Sequence, residues 1–301
     1  MNPLVGIVIL NYKNYSDTFS CIESVLKINY ESYFIVVVDN KSEDGSAERL
    51  QQDFHNKATV HFLLLDKNDG YATGNNRGIE LALAKGAEYI CILNNDTVVN
   101  ADFLNYMIDF MLKNKEYGIV SPLICDYNNS SLVQSAGAYI NLKTGKQKLL
   151  LYKENISSVK QGSVLYQPDY LGGACLLVRK NIFEKIGYIP EYYFLFYEET
   201  DWCFHARKKG FRLACIADSR IYHKGSATIN KEKGLSQYYL TRNSVLFERK
   251  YATLWQYVFF IGYTLMAELY SRLIRGRSRC NMRALFLGMF LQIPKSFSFK
   301  S

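Results

Sequence analysis

The feature that most constrains this chain is a rhythm. Short continuous apolar runs alternate with longer segments whose apolar residues recur every three or four positions. The runs are Val5 to Leu10, Tyr33 to Asp39, Val60 to Leu65 and Tyr89 to Leu93. A strand that is apolar at nearly every position is covered on both faces, as in a parallel sheet between helical layers. Between the runs, Ser16 to Lys27 places Phe19, Ile22, Val25 and Leu26 on one helical face behind a Ser/Asp cap. Gly78 to Lys85 and Asp102 to Lys113 repeat the pattern with Ile79, Leu81, Ala82 and Leu83, and with Phe103, Tyr106, Met107 and Phe110. The spacing predicts an α/β fold: a doubly wound, mostly parallel sheet flanked by helices, with a C-terminal helical extension.

Such sheets bind ligands beyond the carboxyl ends of their strands. The first run ends in Asn11-Tyr12, the second in Asp39-Asn40-Lys41-Ser42, and the fourth in Asn94-Asn95-Asp96-Thr97. Asn, Asp and Ser also make turns and caps, but three polar ends on one sheet edge point to a site. From Leu123 to Gln167 the pattern is polar and irregular, with weak strands at Val133 to Leu142 and Lys148 to Tyr152. The chain returns to the sheet at Tyr170 to Val178, where Gly172-Gly173 either let backbone approach a ligand or mark a bulge.

The densest chemical cluster is Tyr192 to Trp202, where five aromatic residues and Leu195 lead into Glu198, Glu199 and Asp201 at the start of a helix that runs to Lys209-Gly210. Acidic residues suit a first helical turn. Crowded beside aromatic rings, however, they gain burial and like-charge repulsion, which both raise a carboxyl pKa toward that of a general base. Arg212 to Ala217 reads as a further strand. His223-Lys224-Gly225-Ser226 then forms a loop that faces phosphate or metal, unless His223 is merely structural.

Charge location excludes one class of partner. The net charge of the 301 residues is +8, yet residues 1–241 carry 26 basic and 26 acidic side chains, so the whole excess lies in residues 242–301. A nucleic-acid binder usually shows a basic face on its folded body, and this body is balanced. Leu254 to Ile274 is rich in aromatic residues but interrupted by Glu268 and Arg272. Arg272, Arg275, Arg277, Arg279 and Arg283 then precede a second apolar run, Ala284 to Ile293. An interrupted aromatic helix beside an arginine cluster suits a helix lying on anionic lipid. The alternative is a helical pair packing on a second subunit, as in a homodimer. Seven cysteines without a CxxC pair read as reduced core residues. Met1 to Leu10 lacks the basic start and the length of a signal peptide. A cytoplasmic protein, peripheral on the inner face of the membrane, is expected.

Taken in order, these segments resemble the inverting glycosyltransferases of family 2, with the GT-A nucleotide-sugar-binding fold, over residues 4–250. Val8 to Tyr12 is similar to the opening strand. Asp39 with Asn40 to Ser46 is similar to the "DDGS" stretch, and Asn68 to Gly78 to the "NxG…NxG" start of a helix. Asn95-Asp96 takes the place of "DxD", and Glu198 to Trp202 that of "ED". The resemblance implies two parts, a glycosyltransferase domain over 1–250 and a basic tail over 251–301. It implies that Asp39 contacts the nucleobase, with Asn11 and Tyr12 flanking the ring, and that Asn68, Gly70, Asn75, Asn76, Asn95 and Asp96 line the nucleotide. Asp96, with His223 as a further ligand, would hold Mg2+ or Mn2+ against the diphosphate. Glu199 is the implied base, with Asp201 as its rival and Glu198 as a cap. Positions 199 and 201 of one helix point about 200° apart, so only one of them faces an acceptor. Gly172, Gly173, Trp202, Lys224 and Arg242 would touch donor or acceptor.

Two departures narrow the branch. Asn75 stands where many UDP-sugar enzymes have a phosphate-reaching Arg, and Asn94 replaces the first acid of "DxD". Both resemble bacterial rhamnosyltransferases of O-antigen and capsule assembly, which implies a dTDP-sugar donor, with a UDP-sugar as the alternative, and a lipid-linked saccharide acceptor. Both also weaken the case for strict metal dependence. Competing readings are a sugar-phosphate nucleotidyltransferase, which needs a Gly-rich basic loop that Asn11 to Ser16 does not supply, and a non-catalytic nucleotide-sugar-binding assembly protein.

Overall fold

The structure is a computed structural model that describes residues 2–160, 162, 164–225, 233–276, 278 and 280–291. Ser226, Arg277, Arg279 and residues 292–293 of the second apolar run lie outside the described residues.

In chain order the first half is β1 (Val5–Asn11), α1 (Tyr15–Val25), β2 (Tyr33–Asp39), α2 (Ser46–Phe54), β3 (Val60–Leu64), α3 (Tyr71–Ala84), β4 (Tyr89–Asn94), β5 (Thr97–Val99), α4 (Phe103–Lys113) and β6 (Tyr117–Asp126). An excursion follows through β7 (Val133–Ser135), β8 (Ala138–Asn141), β9 (Lys146–Leu149) and β10 (Val164–Tyr166). The chain then returns through β11 (Cys175–Arg179), α5 (Lys180–Ile186), α6 (Glu198–Lys208) and β12 (Arg212–His223). It closes with α7 (Lys233–Tyr251), α8 (Leu254–Arg275) and α9 (Met282–Phe290).

The sheet order is β10-β12-β6-β11-β4-β1-β2-β3, with β5 beside β12 and β7 beside β6. The β3-β2-β1-β4 half is parallel, as the apolar runs predict. The sheet as a whole is mixed, because β11 runs antiparallel to both β4 and β6. The reason is topological. The excursion after β6 stays at the edge where the parallel strands end, so the returning chain enters there and must run backwards. That places Gly172-Gly173, just before β11, at the same edge as Asn11, Asp39 and Asn94 to Asp96.

Strand alternation sorts the core into two layers. Val8, Val36, Val38, Ile90 and Ile92 pack with Ala72, Ile79 and Ala82 of α3. Ile7, Ile9, Ile35, Val37, Cys91 and Leu93 pack with Cys21, Ile22 and Val25 of α1 and with Phe103, Leu104 and Met107 of α4. Helix α3 begins earlier than its apolar pattern predicts and lies unusually close to the sheet. A Cβ on Gly78 would sit 2.5 Å from Val8 and 2.7 Å from Val38. This approach brings the N-terminus of α3 to the strand ends. All seven cysteines are free and buried, as small apolar residues.

Helix α7 crosses residue 250 without a break, and α9 packs back on it: a Cβ on Gly288 would meet the Arg242 carbonyl at 2.7 Å. The Arg249 guanidinium holds the carbonyls of Met289 and Leu291. Among the described residues no helix is long and apolar enough to cross a membrane.

Candidate active site

Register carries the polar strand ends together. Asn11 pairs with Asp39, and Leu10 with Asn94. Asp39 accepts from Asn11 Nδ2 at 2.7 Å, from the Ser42 hydroxyl at 2.5 Å and from the Ser42 N–H at 2.9 Å. Asn95 Nδ2 donates to Thr18 Oγ1, which donates to Asn11 Oδ1, both at 2.8 Å. The ends of β1, β2 and the β4–β5 turn are thus wired into one rigid polar rim. Tyr12, the residue after Asn11, is half-buried with Lys13 Nζ 5.3 Å from its ring centroid.

Asp96 lies across this rim. Its Oδ1 is 3.1 Å from His223 Nε2, since β5 pairs with the end of β12. His223 Nδ1 is 2.7 Å from Gln134 Oε1. His223 Nε2 is buried without a hydrogen-bond partner and faces the Asp96 carboxylate. An imidazole nitrogen and a carboxylate oxygen this close can both reach one cation beside them. The pair would supply two ligands to a divalent ion. Among the described residues, no cluster of three or more His, Cys, Asp or Glu side chains offers a complete protein cage.

The carboxylates enter from a strained strap. Phe194, Phe196 and Tyr197 have φ of 66°, 66° and 74°, the left-handed region that side chains disfavour. Asn243 holds this backbone by donating to the carbonyls of Tyr193, Leu195 and Phe196. Helix α3 holds it from the other side, through Tyr71 N–H to the Phe194 carbonyl at 3.1 Å. The strap delivers three acids to three different environments.

Asp201 is fully buried and saturated. It accepts from the hydroxyls of Tyr192, Tyr193 and Tyr251 at 2.6, 2.8 and 2.5 Å and from Lys250 Nζ at 2.6 and 2.9 Å. Glu199 is half-buried and points the other way, as the helical spacing predicts. Its carboxylate occupies the space a side chain at 173 would fill, because a Cβ there would lie 1.8 Å from Glu199 Oε1. Burial raises its pKa, partly offset by its own backbone N–H and by the Tyr71 hydroxyl. Glu198 is buried with Oε2 unpartnered, and burial followed by the charge of Glu199 pushes its pKa well up. Burial therefore raises the pKa of both carboxyls, and that of Glu198, with the charge of Glu199 beside it, more strongly than that of Glu199. The Tyr71 hydroxyl lies 3.1 Å from Asn94 Oδ1 and 3.2 Å from the Gly173 carbonyl, tying Glu199 to the end of β4.

Several residues expected to line the ligand have side chains engaged within the protein. Asn11 is buried with its amide spent on Asp39, Ser42, Ser46 and Thr18, so it positions Asp39 instead of flanking a base. Asn75 donates within its own helix to the Tyr71 carbonyl. Asn76 is a buried pin, clasping the backbone of Ile189 from both sides and bonding Glu191. Gly70 abuts the Phe194 carbonyl, and Asn68 Oδ1 receives Asn40 and the Gly70 N–H. Trp202 is core: its ring packs on Phe183 and its N–H donates to the Gly187 carbonyl. Arg242 holds the carbonyls of Tyr192 and Tyr193, and Lys224 is paired with Asp17 at 2.7 Å. Of these, Asn11 holds the rim and Arg242 the strap, while Trp202 and Asn76 hold core backbone. Tyr71, Gln134, Asn243, Lys250 and Tyr251 are site residues that the sequence patterns do not single out. Tyr71 alone had a signal, as the first residue of the helix after Gly70.

The signature described as "Glycosyl transferase family 2" matches residues 6–187. The chain is 27% identical over 249 residues to the low-salt glycan biosynthesis hexosyltransferase of Haloferax volcanii, covering 80% of this chain and 74% of that one. It is 25% identical over 258 residues to the dTDP-rhamnosyl transferase RfbF of Shigella flexneri, covering 83% and 81%. To the N-acetylglucosaminyl-diphospho-decaprenol L-rhamnosyltransferase of Mycobacterium tuberculosis it is 26% identical over 211 residues, covering 64% and 67%. Among solved structures, the mannosyltransferase PcManGT of Pyrobaculum calidifontis in complex with GDP-Man and Mn2+ superposes with a TM-score of 0.57. That match has 17% identity and covers 96% of this chain and 73% of the other, so it bears on fold alone. With the matched signature spanning more than half of the chain, from β1 to the end of α5, the chain belongs to glycosyl transferase family 2.

Proposed function

We propose that this glycosyltransferase moves a sugar, with inversion, from a nucleoside diphosphate donor to a hydroxyl of a lipid-linked saccharide in cell-surface polysaccharide synthesis, with rhamnose from dTDP-rhamnose as the donor sugar. The observation that carries the reading is the placement of Glu199, a carboxyl whose pKa burial raises, at the same sheet edge as Asp39 and the Asp96–His223 pair. Asp39 and Tyr12 would receive the pyrimidine, one by hydrogen bond and one by ring contact. Asp96 and His223 would hold the divalent cation. Bound there, it supplies Lewis-acid stabilisation of the diphosphate.

Glu199 takes the proton of the acceptor hydroxyl as that oxygen bonds to the anomeric carbon. The bond from that carbon to the diphosphate breaks on the opposite face, and the nucleoside diphosphate leaves with the electron pair. Gly173 leaves room for the carboxylate, and Tyr71 holds it. The donor assignment draws on the RfbF relative and the acceptor on the mycobacterial one. The basic tail supports a placement at the inner membrane surface. Thermal shift and donor hydrolysis with dTDP-rhamnose, UDP-sugars and GDP-mannose, with and without Mn2+, test the proposal. Stabilisation by dTDP-rhamnose above the others is expected; stabilisation by none of them refutes it.

A further inference from the structure

Helix α8 turns an unusually apolar face to solvent. Trp255 is 83% exposed, Phe259 56%, Met266 67% and Leu273 73%. Its inner face is closed, with Phe260 buried and Glu268 buried against Arg272, Ser278 and the Cys280 N–H. The excursion hairpin β8–β9 lies along the flank of this helix. Gly145 at its turn abuts the Phe260 ring, where a Cβ would sit 2.7 Å away, and Lys146 Nζ lies 5.2 Å from the Tyr263 ring centroid. Tyr263 is one helical turn from both Phe259 and Met266, so the lysine head group borders the exposed apolar row.

The hairpin adds charge of one sign. Lys143, Lys146 and Lys148 are exposed and form no ion pair among the described residues, and residues 138–149 contain no acid. Asp169, which the hairpin backbone touches at Ile140, is neutralised by Arg207. Between Lys146 and Lys148, on the opposite face of β9, Gln147 contacts segments that lead to the site. Gln147 Oε1 accepts from the Tyr170 hydroxyl at 2.7 Å and Gln147 also bonds Tyr197, while Tyr170 stands three residues before Gly173.

We infer that the β8–β9 hairpin and α8 form one lipid-facing surface, in which Lys143, Lys146 and Lys148 bind the phosphates of an anionic bilayer while the α8 row enters it. The inference rests on the membrane placement proposed above and extends it from the tail to the catalytic domain. An apolar row bordered by lysines is complementary to lipid with anionic head groups. Because Gln147 joins the hairpin to Tyr170 and Tyr197, this surface lies beside the Glu199 side of the site, and a lipid-borne acceptor reaches the base from there.

The test is sedimentation of the full chain with vesicles of phosphatidylcholine alone and of equal parts phosphatidylcholine and phosphatidylglycerol. The Lys143→Ala/Lys146→Ala/Lys148→Ala variant should lose partition onto the anionic vesicles by about 100-fold, with its nucleotide-induced thermal shift unchanged. The Trp255→Ala/Phe259→Ala variant should lose binding to both compositions. Wild-type partition by the triple lysine variant overturns the hairpin's role and leaves the tail placement standing. Failure of the unmodified chain to bind either vesicle overturns the membrane placement itself. A dimer in lipid-free solution that dissociates in the Trp255→Ala/Phe259→Ala variant assigns the face to a second copy and also overturns the inference.

Discussion

Glu199 and Asp201 stand two residues apart on the first turn of α6, and the fold treats them in opposite ways. Asp201 receives three tyrosine hydroxyls and a lysine and is sealed from solvent. Glu199 keeps a raised pKa, sits where a glycine leaves room and is tied through Tyr71 to the end of β4. A carboxylate whose lone pairs are all taken has none to offer a substrate proton; one that burial has left under-solvated gains by accepting it. The difference teaches that strap and base are separate devices. Asp201 anchors α7 to the strap, and Glu199, which the anchored strap holds in place, is the proposed base.

The largest effect is expected from Glu199→Gln, which should lower kcat about 1000-fold while leaving nucleotide affinity and Tm near wild type; steady-state transfer and calorimetry read both. Asp201→Asn should act on stability instead. Removing a buried charge strands Lys250 and the tyrosines and should cost about 3 kcal/mol, seen as a lowered urea midpoint. Gly173→Ala should cost about 100-fold in kcat with donor binding retained, because the new Cβ displaces the Glu199 carboxylate by more than an ångström.

A third acid sharpens the contrast. Glu248 on α7 is buried, neither oxygen has a hydrogen-bond partner among the described residues, and burial raises its pKa from 4.5 to about 8. Between those two values the unfolded chain has lost a proton that the folded chain keeps, so this group's contribution to stability falls as pH rises from 4.5 to 8. Glu248→Gln should remove that slope and stabilise the protein at pH 8 by about 2 kcal/mol, as unfolding curves across that range would show. The smallest effect belongs to Tyr71→Phe. Its hydroxyl lowers the pKa of Glu199, so its loss should move the acidic limb of kcat/KM to higher pH. A limb that stays put would detach Tyr71 from the base.

What was legible in the sequence was local. Apolar runs ending in Asn11, Asp39 and Asn94 place the site edge, since strand and end are contiguous in the chain. The helical spacing of 199 and 201 shows that one of them must face away from the acceptor, but which one depends on Tyr192, Tyr193, Lys250 and Tyr251. The last two sit about fifty residues on, and only tertiary docking brings them close. The direction of β11 was invisible because hydrophobic periodicity reads the same both ways. Trp202, Arg242 and Asn76 look like ligand contacts by residue type. Each is instead turned inward to satisfy backbone carbonyls, and side-chain direction is not written in composition.

The central claim is most directly tested by measuring sugar transfer per folded molecule for Glu199→Gln and Asp201→Asn side by side, below the Tm of both. The account predicts transfer abolished in Glu199→Gln and within a few-fold of wild type in Asp201→Asn. Full transfer by Glu199→Gln with loss in Asp201→Asn would contradict it and move the base to Asp201.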